Sequence, residues 1–123
     1  MKFASWNVNS INLRMHHLCR WIKENNIDVI CLQELKCSNE NFPKEFLISN
    51  GLNFEIVGQK SYNGVAIVSR KPIKLRESKL PNLNEHISQA RYLEVEIDNI
   101  IFSSIYVPNG NPINSEKYDY KII

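Results

Sequence analysis

The apolar positions of this chain change rhythm several times, and each change marks an element. Residues 2–8 form a short run around Phe3, Trp6 and Val8 that reads as a buried strand. From there Ile11, Met15, Leu18, Cys19 and Ile22 recur at helical spacing. Ser10 is placed to cap that helix and Asn25-Asn26 to end it. Residues 28–32 are too short and too β-branched for a helix and read as a central strand. The opening is therefore strand, helix, strand, which suits a right-handed parallel crossover.

Residues 39–51 predict a turn around Phe42-Pro43 and a short helix with Phe46 and Leu47 inward. Residues 54–57 and 65–69 predict two short strands, joined through a turn that ends in Asn63-Gly64. Residues 71–88 are polar, punctuated by proline, and read as a surface loop. Strict alternation returns over residues 92–97, and Asp98-Asn99 turns the chain into a partner strand over 100–107. Pro108-Asn109-Gly110-Asn111-Pro112 breaks that strand, and Ser115 is placed to cap a last helix through Tyr118 and Ile122. The pattern as a whole is α/β, a mostly β core with helices packed against it.

Composition narrows this picture only a little. A chain of 123 residues suits one small domain, and a net charge of +2 argues against a wholesale basic coat for nucleic acid. A local basic stripe remains compatible with that charge. Three cysteines, Cys19, Cys31 and Cys37, match no paired spacing and read as small buried apolar residues rather than a zinc site or disulfide framework. The N-terminus carries no hydrophobic signal core and no stretch is long and apolar enough to span a bilayer, so a cytoplasmic, non-membrane protein is expected.

Candidate chemistry gathers where strands end. Glu34 follows the apolar run 29–32 directly, at the strand end where open α/β sheets commonly place ligands. A hard divalent ion needs only one or two protein carboxylates, so Glu34 is the candidate metal ligand. Asn7 leaves the first strand in the same sense, and its amide oxygen can orient a metal-bound water. The competing reading has Asn7 closing a strand and Glu34 capping the next helix. Lys36 is either a phosphate-neutralising cation or one more solvated lysine. Tyr106 ends a strand before the Pro-Asn-Gly turn, where its hydroxyl either reaches a phosphoryl oxygen or fills a sheet edge. Asn109 lies in that turn, a place asparagine also takes for backbone geometry. Lys60, Tyr62 and Arg91 offer two cations and an aromatic platform for a DNA backbone. His16, His17 and His86 have no partner at a meaningful spacing, which excludes a catalytic triad or a histidine metal cluster.

Five stretches together carry a family resemblance: Ser5-Trp6-Asn7-Val8-Asn9-Ser10, residues 28–36, residues 58–70, Gln89-Ala90-Arg91-Tyr92, and Tyr106-Val107-Pro108-Asn109-Gly110. In this order they resemble the exonuclease III type of apurinic/apyrimidinic endonuclease, within the endonuclease/exonuclease/phosphatase superfamily. Single motifs are shared with the superfamily's small-phosphoester hydrolases, but residues 58–66 and 106–112 resemble the DNA-repair branch. The resemblance implies that Glu34 binds Mg²⁺ or Mn²⁺, with Asn7 in the same network and Asn9 behind it. It implies that Lys36 supports the carboxylate, that Tyr106 and Asn109 are active-site groups, and that Lys60, Tyr62 and Arg91 face DNA.

The implied substrate is double-stranded DNA with an abasic site, cleaved 5′ to the lesion, with 3′–5′ exonuclease and 3′-phosphatase activities alongside. The implied fold is a four-layer, DNase I-like α/β sandwich, of which residues 1–123 supply the first half as one mixed sheet with flanking helices. The family's Gly-Asp-x-Asn segment, later aspartate and Asp-His pair have no match here. Two outcomes are therefore expected: a nuclease half that needs a complementing C-terminal half to cleave, or a truncated, non-catalytic remnant. The resemblance also implies a monomer. Without the other half, the inner face of the sheet is expected to stand exposed.

Overall fold

A computed structural model describes residues 1–59, 63–77 and 91–106. Its elements in chain order are β1 (Phe3–Asn7), a 3₁₀ turn (Ile11–Leu13), α1 (Met15–Asn25), β2 (Val29–Gln33), α2 (Lys44–Ser49), β3 (Asn53–Val57) and β4 (Val65–Ser69). β5 (Lys74–Glu77), β6 (Tyr92–Ile97) and β7 (Ile100–Ile105) follow. β1 and β2 pair in parallel across the α1 crossover, and β4 and β3 extend the sheet antiparallel in the order β1-β2-β4-β3. β5, β6 and β7 form a second, antiparallel sheet.

The strands thus form two sheets rather than the single mixed sheet expected, and the side-chain pattern explains why. β2 and β4 are buried at every position, so each presents apolar groups on both faces. One face, with Ile30, Leu32, Ala66 and Val68, packs with Met15, Leu18 and Ile22 of α1. The other, with Val29, Cys31, Val65 and Ile67, meets Leu93, Val95 and Ile97 of β6. The alternation of β6 gives it one apolar face, which is what a second sheet laid on the first requires. The inner face of the first sheet is accordingly covered, not exposed.

Several local expectations change for definite reasons. β1 alternates between exposed and half-buried, because it is the edge of its sheet and no strand flanks it on the outer side among the described residues. Ser10 does not cap a helix: its N–H donates to the Glu34 carbonyl at 3.0 Å, so pairing with β2 carries it past the end of β1. α1 starts only at Met15 and ends at Asn26, whose left-handed backbone (φ 54°) closes the helix as expected. Phe46 is exposed while Leu47 and Phe42 are buried, since neighbouring positions on so short a helix cannot both face inward. Within the expected surface loop, residues 74–77 form an exposed edge strand. Arg76 there bonds Glu94 and Glu96 at 3.1 Å each, a cross-strand charge pattern without apolar alternation. The hairpin of β6 and β7 is as expected, with Asp98 and Asn99 both at positive φ (52° and 64°), the requirement of a type I′ turn. The expected break and helix after residue 106 lie outside the described residues. No described helix is long and apolar enough to cross a membrane.

The parallel pair is pinned at its start by a reciprocal tie. The Lys2 N–H donates to Asp28 Oδ2 at 2.7 Å, and the Asp28 N–H donates to the Lys2 carbonyl at 2.7 Å. That backbone bond, helped by the N-terminal ammonium, Arg70 and Lys71, holds the Asp28 carboxyl below its ordinary 3.8. A carboxylate with a lowered folded pKa stabilises the fold above its unfolded pKa, and that stability is lost as pH falls through the folded value. Melting temperature is therefore expected to fall below about pH 4. Asp28→Asn should flatten that acid limb while lowering the neutral plateau; an unchanged limb would show that other carboxylates govern it.

Candidate active site

The backbone at the C-terminal ends of β1 and β2 determines what this rim holds. Past the last strand residues the ladder continues: Val8 N–H to Gln33 O, Ser10 N–H to Glu34 O and Ile11 N–H to Leu35 O, each at 3.0 Å. From the other side Leu35 N–H reaches Gly64 O at 3.0 Å and Lys36 N–H reaches Asn63 O at 2.9 Å. Residues 34–36 are thus held between the end of β1 and the approach to β4. Asn9 (φ 46°), Ser10 (88°), Glu34 (59°), Lys36 (57°) and Asn63 (59°) all adopt left-handed backbone there. The remaining positive-φ, non-glycine residues described serve a helix cap and a hairpin turn, so the unexplained strain sits at this rim.

That strain has a chemical consequence. Along a strand successive side chains alternate faces, so Glu34 would point away from the face taken by Gln33. The left-handed turn at Glu34 interrupts the alternation, and its carboxylate meets the Tyr106 hydroxyl on the second sheet's side. Glu34 Oε2 lies 3.5 Å from Lys36 Nζ, with the carboxylate side chain 20% exposed. Lys36 Nζ also donates to Asn9 Oδ1 at 2.6 Å, and the Asn9 N–H donates to Asn7 Oδ1 at 3.2 Å. Asn7, Asn9, Glu34, Lys36 and Tyr106 therefore form one connected cluster, open to solvent on one side.

Tyr106 is fixed from β6: its N–H donates to the Arg91 carbonyl at 2.9 Å, and the Arg91 guanidinium lies 5.6 Å from the ring centroid. Burial, then the hydrogen bond to Glu34, raises the phenol pKa, so the hydroxyl stays protonated and acts as a donor at neutral pH. Arg91 is 1% exposed, which corrects the expectation that it faces DNA. It opens an inner strand whose alternation carries it inward, behind the tyrosine. Lys60, Tyr62 and Asn109 lie outside the described residues.

The donor set suits a hard divalent ion in one respect: a single carboxylate with solvent access, beside amide oxygens, matches an ion that keeps most of its waters. Among the described residues no group of three or more histidine, cysteine, aspartate or glutamate side chains forms a closed metal cage. Cys19, Cys31 and Cys37 are free and buried, and burial pushes their thiols up, that of Cys31 to about 11. They pack as small buried apolar residues, as expected, and their raised pKa keeps the thiolate fraction low. The sequence reading gave no role to two polar side chains beneath the rim, Gln33 (9% exposed) and Ser104 (0%). The sequence of β7 does not alternate, so the signal that marks Ser104 is its register opposite the buried Leu93 of β6.

Residues 4–121 match the model of the endonuclease/exonuclease/phosphatase family, and the chain belongs to that family. Its relatives are of the exonuclease III and AP endonuclease type. It is 35% identical over 114 residues to exodeoxyribonuclease III of Haemophilus influenzae, covering 89% of this chain and 42% of that one. An AP endonuclease from Archaeoglobus fulgidus superposes with a TM-score of 0.88 at 37% identity, over 99% of this chain and 47% of that chain. A 3′ phosphatase from Neisseria, bound to a product DNA hairpin, superposes with a TM-score of 0.84 at 34% identity, over 99% and 47%. The chain spans about half the length of the relatives it matches.

Proposed function

We propose that this chain provides half of the active site of a DNA-repair phosphodiesterase that hydrolyses the backbone 5′ to an abasic site, with 3′–5′ exonuclease and 3′-phosphatase activity on the same centre. The observation that carries the reading is the convergence of Glu34, Tyr106, Lys36, Asn9 and Asn7 at one rim. Glu34 is the ligand for Mg²⁺ or Mn²⁺, which when bound neutralises charge on the phosphate under attack. Lys36 aligns the carboxylate and adds positive charge to the rim. Tyr106, held protonated, offers its O–H to a phosphoryl oxygen as negative charge develops there. Lys60 and Tyr62 grip the flanking DNA backbone, and Asn109 donates to the same phosphate. Recognition of the lesion rests on shape, because an abasic nucleotide is cheap to extrude.

In this reading the water-activating and leaving-group acids come from a segment equivalent to the other half of the relatives' length. Glu34 is the one carboxylate among the described rim residues, which leaves the water-activating and leaving-group roles to that segment. The test is cleavage of a duplex oligonucleotide with one abasic site, in Mg²⁺, by the chain alone and with the C-terminal half of the Archaeoglobus enzyme supplied. No cleavage is expected from the chain alone and site-specific cleavage from the pair. Cleavage by the chain alone overturns the half-site reading. Failure of a folded, associated pair overturns the assignment of chemistry to this rim.

A further inference from the structure

Ser5 opens one of the stretches at the rim and Gln33 lies within another, yet neither has a part in the chemistry proposed. The structure joins them to Ser104. Gln33 Nε2 donates to Ser104 Oγ at 3.0 Å and lies 3.2 Å from Ser5 Oγ, which in turn lies 3.4 Å from Gln33 Oε1. Ser104 Oγ donates to the Leu32 carbonyl at 2.7 Å. The network spans β1, β2 and β7, and so crosses from one sheet to the other. Elsewhere the described face between the sheets sets Val29, Cys31, Val65 and Ile67 against Leu93, Val95 and Ile97, with the buried Arg91 beneath Tyr106 as its charged exception.

Apolar contact is non-directional and tolerates sliding of one sheet over the other, whereas hydrogen bonds fix direction and spacing. A satisfied polar network in a dry interface therefore sets register more than it adds stability. Its position gives that register a purpose. Gln33 directly precedes Glu34, and Ser104 stands two residues before Tyr106, on the same face of its strand. We infer that Gln33 and Ser104 are positioning residues, a cross-sheet clamp that sets β2 against β7 so that the Glu34 carboxylate and the Tyr106 hydroxyl meet. Ser5 steadies the Gln33 amide from β1. The clamp is a property of the fold, and its only dependence on the proposed function is that it gives the Glu34–Tyr106 contact a use.

The test needs neither DNA nor metal. In the full chain labelled at tyrosine and glutamate, a nuclear Overhauser contact between the Tyr106 ring and the Glu34 side chain is expected. So are methyl contacts from Leu93 and Val95 to Val65 and Ile67. In Ser104→Ala, and independently in Gln33→Met, the Tyr106–Glu34 contact should be lost while the methyl contacts persist. Ser104→Thr, which keeps the hydroxyl, should restore it. A full-strength Tyr106–Glu34 contact in either folded variant overturns the clamp, as does its absence from the unsubstituted chain. Should the methyl contacts vanish together with it, Ser104 and Gln33 merely hold the sheets together, and the inference fails. If the clamp holds but the complemented pair never cleaves DNA, only the functional reading falls.

Discussion

Glu34→Ala should abolish cleavage by the complemented nuclease, a loss of at least about 10³ in rate, the scale seen on removing a preorganised charge-stabilising group. It should also weaken Mn²⁺ binding to the chain, measurable by the paramagnetic signal of the free ion. Both effects follow from geometry: among the described rim residues Asn7, Asn9, Lys36 and Tyr106, no other side chain is a carboxylate. Stability should move the other way in a companion variant. Glu34 sits at φ 59°, where an L-residue pays roughly 1–2 kcal/mol and glycine pays nothing sterically. Glu34→Gly should therefore be the more stable of the two by about 1 kcal/mol, a gain of several degrees in melting temperature, and equally inactive. A chain that keeps a strained residue where glycine would fold better is keeping it for its side chain. If Glu34→Ala retains cleavage, the metal-ligand role is wrong. If Glu34→Gly melts below Glu34→Ala, the strain argument is wrong.

This strain also shows where sequence reading succeeds and where it stops. Elements whose apolar period is unambiguous were legible: the β1-α1-β2 crossover, the fully buried β2 and β4, and the β6–β7 hairpin with Asp98-Asn99 at its turn. Elements stabilised by partners far along the chain were not. Ser10 has every local attribute of a helix cap, but the ladder to the Glu34 carbonyl, 24 residues away, holds its backbone at φ 88°, its side chain makes no cap bond, and the helix begins only at Met15. β5 has no apolar alternation, and salt bridges to Glu94 and Glu96 on β6 accompany its pairing there. The second sheet was hidden for the same reason, since a strand's pattern says which face is buried and not against what.

At the candidate site the strand-end rule brings Asn7, Glu34 and Lys36 to one rim because β1 and β2 are parallel and deliver their ends together, while Tyr106 reaches it from the second sheet. It misjudged Arg91, because a cation at a strand start reads as exposed unless one sees the tyrosine that covers it. It also passed over Gln33 and Ser104, whose meaning exists only across two sheets.

Gly64→Ala should be among the most damaging single-atom changes this fold can receive, because two separate penalties fall on one methyl group. Gly64 has φ 93°, a region that costs an L-residue roughly 1–2 kcal/mol. A Cβ built there would also stand 2.9 Å from Leu35 Cβ and 3.3 Å from its Cγ. Leu35 is fully buried and cannot swing aside, so the clash adds roughly 1–3 kcal/mol of overpacking. The sum, roughly 2–5 kcal/mol, is a large share of the 5–15 kcal/mol that holds a typical domain together. A fall in melting temperature of about 10 °C or more is expected.

Gly51→Ala is the control that separates the two terms. Gly51 also has positive φ (68°), but nothing lies within 4 Å of its added methyl, so only the backbone penalty applies. The difference between the two variants is thus the steric push on Leu35. That push acts on the segment whose N–H groups bond Asn63 and Gly64 and whose ends are Glu34 and Lys36. Gly64→Ala should accordingly weaken Mn²⁺ binding even at temperatures where the chain remains folded, whereas Gly51→Ala should not. A double-mutant cycle with Leu35→Ala should return a favourable coupling of about 1 kcal/mol, since the smaller side chain makes room for the methyl. Equal destabilisation by Gly64→Ala and Gly51→Ala, with no coupling to Leu35, would mean that the approach to β4 does not brace the Glu34 segment.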